Sequence, residues 1–102
     1  MRIYLVGKIS DSDPLKFLSN IETGISYSAY LIKNGNDVYC PFLDYQYRFF
    51  FTLTKEDFQR NSMSFLEHWA EQVWVLPDWE NSEGTRKEIA RAEELGIPVK
   101  YL

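Results

Sequence analysis

Apolar positions along the chain switch repeatedly between a continuous and a helical spacing. Ile3, Tyr4, Leu5 and Val6 form a short unbroken run that stops at Gly7, which predicts a buried strand over Arg2–Val6. Ser12-Asp13-Pro14 is a helix-start signal, because proline suits the first turn. A helical period then passes through Leu18, Ile21, Ile25, Ala29 and Ile32 to a stop at Asn34-Gly35. Gly24 weakens the middle of that stretch, so the pattern admits one helix or two pieces. Asp37–Cys40 reads as a second strand, cut off by Pro41. The aromatic segment from Pro41 to Leu53 has no clear period and is expected to be irregular. Thr54 is a plausible N-cap with early acids, Asp57 standing in for the usual glutamate of a capping box. Phe58, Ser62, Phe65, Leu66 and Trp69 line one face of the helix that follows. Val73–Leu76 is the third strand, Ser82-x-Gly84 opens another helix, and Val99–Leu102 is the fourth strand.

Strands alternating with helices favour a parallel sheet with right-handed crossovers and helices on both faces. The expected architecture is α/β, a small flavodoxin- or Rossmann-like three-layer sandwich with four parallel strands in the order 2-1-3-4. No linker, repeat or low-complexity stretch divides residues 1–102, so one domain is expected. In that order the switch point lies between strands one and three, and open α/β sheets bind ligands there. The strand ends concerned are Gly7-Lys8 and Pro77-Asp78.

Composition narrows the function classes. A chain of 102 residues, 45% hydrophobic and 17% aromatic, supports one core and not two. No apolar run reaches membrane-spanning length and no signal-peptide pattern opens the chain, so a cytoplasmic protein without a membrane partner is expected. A net charge of −4 argues against duplex nucleic acid as a partner. A small anion remains compatible, since local backbone dipoles can outweigh the overall balance. The single Cys40 and single His68 exclude a disulfide and a His/Cys metal site, and neither a metal nor a cofactor is expected. A complete phosphate-loop signature, G-x-G-x-x-G and G-x-S-x-G are all absent.

The chemistry concentrates in Val73-Trp74-Val75-Leu76-Pro77-Asp78-Trp79-Glu80-Asn81-Ser82-Glu83-Gly84-Thr85-Arg86-Lys87-Glu88. On a helical wheel Thr85, Glu88, Ile89, Ala92, Leu95 and Gly96 share a face, which makes Glu88 the one charged group in the apolar stripe. A carboxylate there is paired, protonated or in use. The alternative is a first-turn glutamate that leans into solvent and favours the helix dipole.

Ser82-x-Gly84-x-x-x-Glu88, together with Ile3-Tyr4-Leu5-Val6-Gly7-Lys8-Ile9-Ser10, resembles the nucleoside 2-deoxyribosyltransferase superfamily. That group includes deoxynucleotide N-glycosidases and many small domains, some carried by phages. Leu76-Pro77-Asp78-Trp79-Glu80-Asn81-Ser82 looks closest to the small domains, which usually have glycine where this chain has Asp78. The likeness extends to Gly35–Pro41 and Gly96-Ile97-Pro98-Val99. It implies that Glu88 attacks C1′ of a nucleoside or nucleotide, that the base leaves, and that water or a second base takes the sugar. It implies further that Tyr4 lies beside Glu88, although a strand tyrosine is also an ordinary core residue. Gly7 would allow close backbone approach. Lys8, Ser10, Ser82 and the Gly84 amide would hold a 5′-phosphate, Lys8 being otherwise a solvated lysine. Asn81 belongs to the same loop. Asp44 and Gln46 match, with a one-residue shift, a stretch that approaches the base. Trp79 is placed at the pocket rim, or else buried between helix and sheet.

The sequence departs from the pattern at the second acid. Relatives carry an aspartate near the position held here by Asn61, Ser62 or Met63, none of which is a general acid. Asp78 is the candidate substitute. An N-glycosidase or deoxyribosyltransferase and a nucleotide-binding module that lost turnover are therefore both consistent with the chain. Relatives are commonly oligomers, and the aromatics around Phe49–Phe51 suit a homo-oligomer contact.

Overall fold

A computed structural model describes residues 1–102. In chain order the elements are β1 (Arg2–Val6), α1 (Pro14–Lys33), β2 (Asp37–Tyr39), a 3₁₀ segment (Pro41–Phe49), α2 (Lys55–His68), β3 (Gln72–Val75), a 3₁₀ turn (Trp79–Asn81), α3 (Glu83–Glu94) and β4 (Val99–Tyr101). The four strands are all parallel, in the order β2-β1-β3-β4. This is the parallel α/β architecture that the alternation of elements predicts, in the flavodoxin-like strand order expected for it.

The alternation of side chains along each strand divides the core into two halves. Tyr4, Val6, Val73 and Val75 face α2 and α3, where they meet Leu66, Ile89 and Ala92. Leu5 faces α1 and the 3₁₀ segment, packing with Ile21, Cys40, Phe42 and Leu76. Burial on both faces explains why β1 reads as an unbroken apolar run.

Two expectations are corrected. α1 is one continuous helix, and its buried positions are Ile21, Gly24, Ser28 and Leu31. Leu18 and Ile32, taken from the apolar period, are 54% and 56% exposed, and Ala29 is exposed as well. The cause is Phe42. A Cβ on Gly24 would stand 2.1 Å from Phe42 Cγ, so the ring occupies the space that glycine leaves. The helix turns Gly24 and Ser28 inward between Ile21 and Leu31, with Gly24 against Phe42 of the 3₁₀ segment, and hydrophobicity alone does not reveal small residues as part of a packing face. The second correction concerns Pro41–Phe49, which forms three turns of 3₁₀ helix instead of an irregular loop.

The capping of α2 matches the sequence. Thr54 Oγ1 accepts from the Asp57 amide at 3.0 Å, and Asp57 Oδ2 accepts from the Thr54 amide at 2.9 Å. No helix is long and apolar enough to cross a membrane.

Candidate functional site

A cleft of about 380 Å³ opens at the carboxyl ends of β1 and β3. The Gly7–Ser10 loop forms one wall, and Asn81–Thr85 with Glu88 form the opposite one. Asp44, Tyr45 and Arg48 from the 3₁₀ segment and Lys55, Phe58, Gln59 and Ser62 from α2 complete it. A wider hollow of about 620 Å³ has every lining residue on α1, so it is a shallow groove along one helix and brings no elements together.

Glu88 lines the cleft, and the fully buried Tyr4 lies behind it. Glu88 as a residue is partly buried, but its Oε2 is sealed from solvent and has no hydrogen-bond partner. The buried Tyr4 hydroxyl is likewise without a partner. Burial pushes the Glu88 carboxyl up to about 7, and the neighbouring Tyr4 hydroxyl partly offsets that rise. Tyr4 itself is held well above the ordinary phenol range, first by burial and then by Glu88. The two groups sense each other's charge without adopting bonding geometry.

Ser82 caps α3, its Oγ accepting from the Thr85 amide at 3.2 Å. The other first-turn amides have no partner within the helix and open on the cleft wall. Lys8 reaches Asp11 at 3.4 Å, and Asn20 donates to the Ile9 carbonyl at 3.2 Å, which ties the loop to α1.

The family model described as Domain of unknown function (DUF4406) matches residues 1–101. The chain belongs to the DUF4406 family. No curated protein matches it.

Within this DUF4406 domain the structure brings Glu88, Gly7, Lys8, Ser10, Asp44, Asn81, Ser82 and Gly84 to one cleft, with Tyr4 beneath Glu88. Gly7 is required by packing, because a Cβ there would meet Leu76 Cβ at 3.0 Å and Phe42 Cζ at 3.1 Å. A Cβ on Gly84 would meet nothing within 4 Å, so no close contact demands glycine there.

Three expected site residues lie outside the cleft. Gln46 is exposed and does not line it. With three residues per turn, Pro41 and Asp44 stack on one side and Tyr45 and Arg48 beside them, which leaves Gln46 on the outer side. Asp78 adopts the left-handed conformation, φ 70°, and its Oδ1 accepts from the Asn81 side chain. That backbone region favours glycine, asparagine and aspartate, which gives the residue a conformational reason to be there. Trp79 is partly buried, packing against the α2/α3 half of the core with its ring 5.3 Å from the exposed Tyr101, and it does not line the cleft.

Several lining residues went unrecognised. Lys55, Phe58, Gln59 and Ser62 follow the spacing i, i+3, i+4, i+7, a legible helical face, but its mixed polar character hid it. Asp44 gains significance from its surroundings. Tyr39 Oη donates to Asp44 Oδ2 at 2.7 Å, and Asn61 Nδ2 donates to Tyr39 Oη at 3.4 Å. The Tyr39 ring stacks between Tyr4, at 5.1 Å, and Phe65, at 4.4 Å. Burial raises the Asp44 carboxyl, and the Tyr39 bond partly offsets it. No group of three His, Cys, Asp or Glu side chains converges as a metal site. What the cleft holds is the carboxyls Asp44 and Glu88 in different environments, the exposed Glu83 paired with Lys87 at 3.1 Å, a helix start, and the cations Lys8, Arg48 and Lys55.

Proposed function

We propose that the cleft binds a cytoplasmic nucleoside or nucleotide and that Glu88 is the nucleophile in cleavage or transfer of its N-glycosidic bond. The observation that carries this reading is the sealed, unpartnered Oε2 of Glu88, a residue of the cleft wall, beside the unpartnered hydroxyl of buried Tyr4. Buried polar groups are ordinarily bonded, and an orphaned carboxyl oxygen on a residue of the cleft wall, with an orphaned hydroxyl beside it, points to a group kept for a ligand. The resemblance of Ser82-x-Gly84-x-x-x-Glu88 and the β1 motif to the deoxyribosyltransferases supplies the reaction class. A first-turn amide array opposite Lys8 suits an anionic substituent on the sugar.

A second reading is a binding module without turnover. It is favoured by Asn61, Ser62 and Met63, which supply no acid on α2, and by Asp78, whose carboxylate is engaged by Asn81. Incubation with a panel of nucleosides and monophosphates, followed by chromatography for free base, separates the two. Base release that is abolished in Glu88→Gln and Glu88→Ala is the expected result. Binding without release, unchanged in Glu88→Gln, would establish the module instead. We also propose self-association through the exposed Phe49–Phe51 segment.

A further inference from the structure

We propose that Asp44, held by Tyr39, is the second catalytic carboxyl of the cleft, exchanging a proton with the incoming water or base and with the departing base. The inference rests on the glycosyl-transfer reading of Glu88. Asp44 and Glu88 line one cleft from different elements, the 3₁₀ segment and α3. Tyr39 occupies only Oδ2 of Asp44, which leaves Oδ1 for substrate. Asn61, one of the three α2 positions near which the resemblance implies an acid, donates to Tyr39 and so supports Asp44 through it. Stacking between Tyr4 and Phe65 fixes the Tyr39 ring and so fixes the direction of its hydroxyl. Tyr39 is thus a positioning residue and Asp44 a catalytic one.

The proton balance closes over one cycle. From the glycosyl ester on Glu88, the ionised Asp44 takes a proton from water as the water oxygen bonds to C1′. The C1′–Oε bond breaks and its electron pair returns to Glu88. Asp44, now protonated, gives that proton to the base nitrogen of the next substrate while Glu88 attacks C1′, and the electrons of the C1′–N bond stay with the nitrogen. In transfer, an acceptor base N–H replaces the water.

The test uses 4-nitrophenyl ribofuranoside and 2-deoxyribofuranoside, whose leaving group departs without a proton. In Asp44→Asn, which keeps an oxygen acceptor for Tyr39, the ester forms but is not hydrolysed. The expected results are a burst of nitrophenolate, steady turnover about 100-fold below the wild type, and an intact mass increased by one glycosyl unit. Azide, which needs no base, restores turnover. Tyr39→Phe gives a smaller loss, about tenfold, with the same azide response. Asp44→Glu retains part of the turnover and accumulates no adduct. Wild-type turnover in Asp44→Asn overturns the proposal, as does lost turnover without adduct or azide rescue. In either case, Glu88-dependent base release by the wild type leaves the broader reading standing. Absence of nitrophenolate, free base and adduct in the wild type overturns both.

Discussion

At pH 7 the folded chain holds Glu88 about half protonated, because burial lifts its carboxyl from an ordinary 4.5 to about 7. Between these values the folded state binds more protons than the unfolded one, so stability falls as pH rises through the window. Below about 4.5 the group is neutral in both states and contributes nothing, and above about 7 the full penalty is present. A shift of this size corresponds to roughly 3 kcal/mol. Glu88→Gln removes the titration. Urea unfolding of both proteins at pH 4 and pH 8 should therefore show the variant gaining about 3 kcal/mol relative to wild type between the two conditions. Asp11, Asp57, Glu71 and Glu83, held below the ordinary carboxylate range, titrate with the opposite sign but are common to both proteins and cancel. An equal difference at both pH values would show that the carboxyl is solvated. The same ionisation sets activity, since the nucleophile must be charged. At this scale the sequence was informative where a charge interrupts an apolar stripe, as at Glu88. It was silent where a role depends on a partner distant in the chain, as in the Asn61–Tyr39–Asp44 chain.

Among the elements, α1 and the 3₁₀ segment are joined at one contact that controls both. Phe42 is fully buried and lies on Gly24 of α1 while its Cζ reaches the Cβ direction of Gly7. One ring therefore spaces α1, the end of β1 and the segment that carries Asp44. In a free helix Gly24→Ala would stabilise by about 1 kcal/mol. Here the new Cβ would lie 2.1–2.4 Å from three ring atoms of a side chain that has nowhere to go. Overpacking of this kind costs about 1–3 kcal/mol, and the clash is severe enough to reverse the sign of the substitution. Differential scanning calorimetry should find a Tm lower by roughly 8 °C, and a Tm at or above wild type would show that Phe42 is free to move. This contact also explains what was and was not legible. The ends of α1 followed from Pro14 and Asn34-Gly35, and its continuity and rotation did not, because Gly24 carries opposite meanings in a helix considered alone and in one packed against a phenylalanine. The 3₁₀ segment escaped because a three-residue period in an aromatic stretch resembles neither a strand nor an α-helix.

For the molecule as a whole, the parallel sheet followed from the alternation of elements, and the cleft from the switch point of the flavodoxin-like order. The proposed self-association lies at this level, at the outer edge of the cleft. Phe49, Phe50 and Phe51 are 71%, 82% and 73% exposed and lie directly after Tyr45 and Arg48 of the cleft wall. Three phenylalanines at this exposure present about 450 Å² of apolar surface, within the range of the largest patches found on monomers, which are often functional. Two such patches meeting around a two-fold axis, with Tyr47 and Leu43 at their margin, would bury on the order of 1,200 Å² in total, the lower bound for a specific dimer. The expected behaviour is a reversible dimer whose mass by light scattering rises with concentration through the micromolar range. Phe50→Asp places a charge in the centre of each patch and should leave a monomer at every concentration, with unchanged far-ultraviolet circular dichroism. A wild-type monomer at 100 μM would exclude this contact. The patch adjoins the wall carrying Asp44 and Arg48 in the chain, so if dimerisation orders that wall, a ligand held there is expected to bind the dimer more tightly than the monomer. By linkage, saturating ligand should then shift the dissociation curve to lower protein concentration by the same factor that dimerisation gains in ligand affinity.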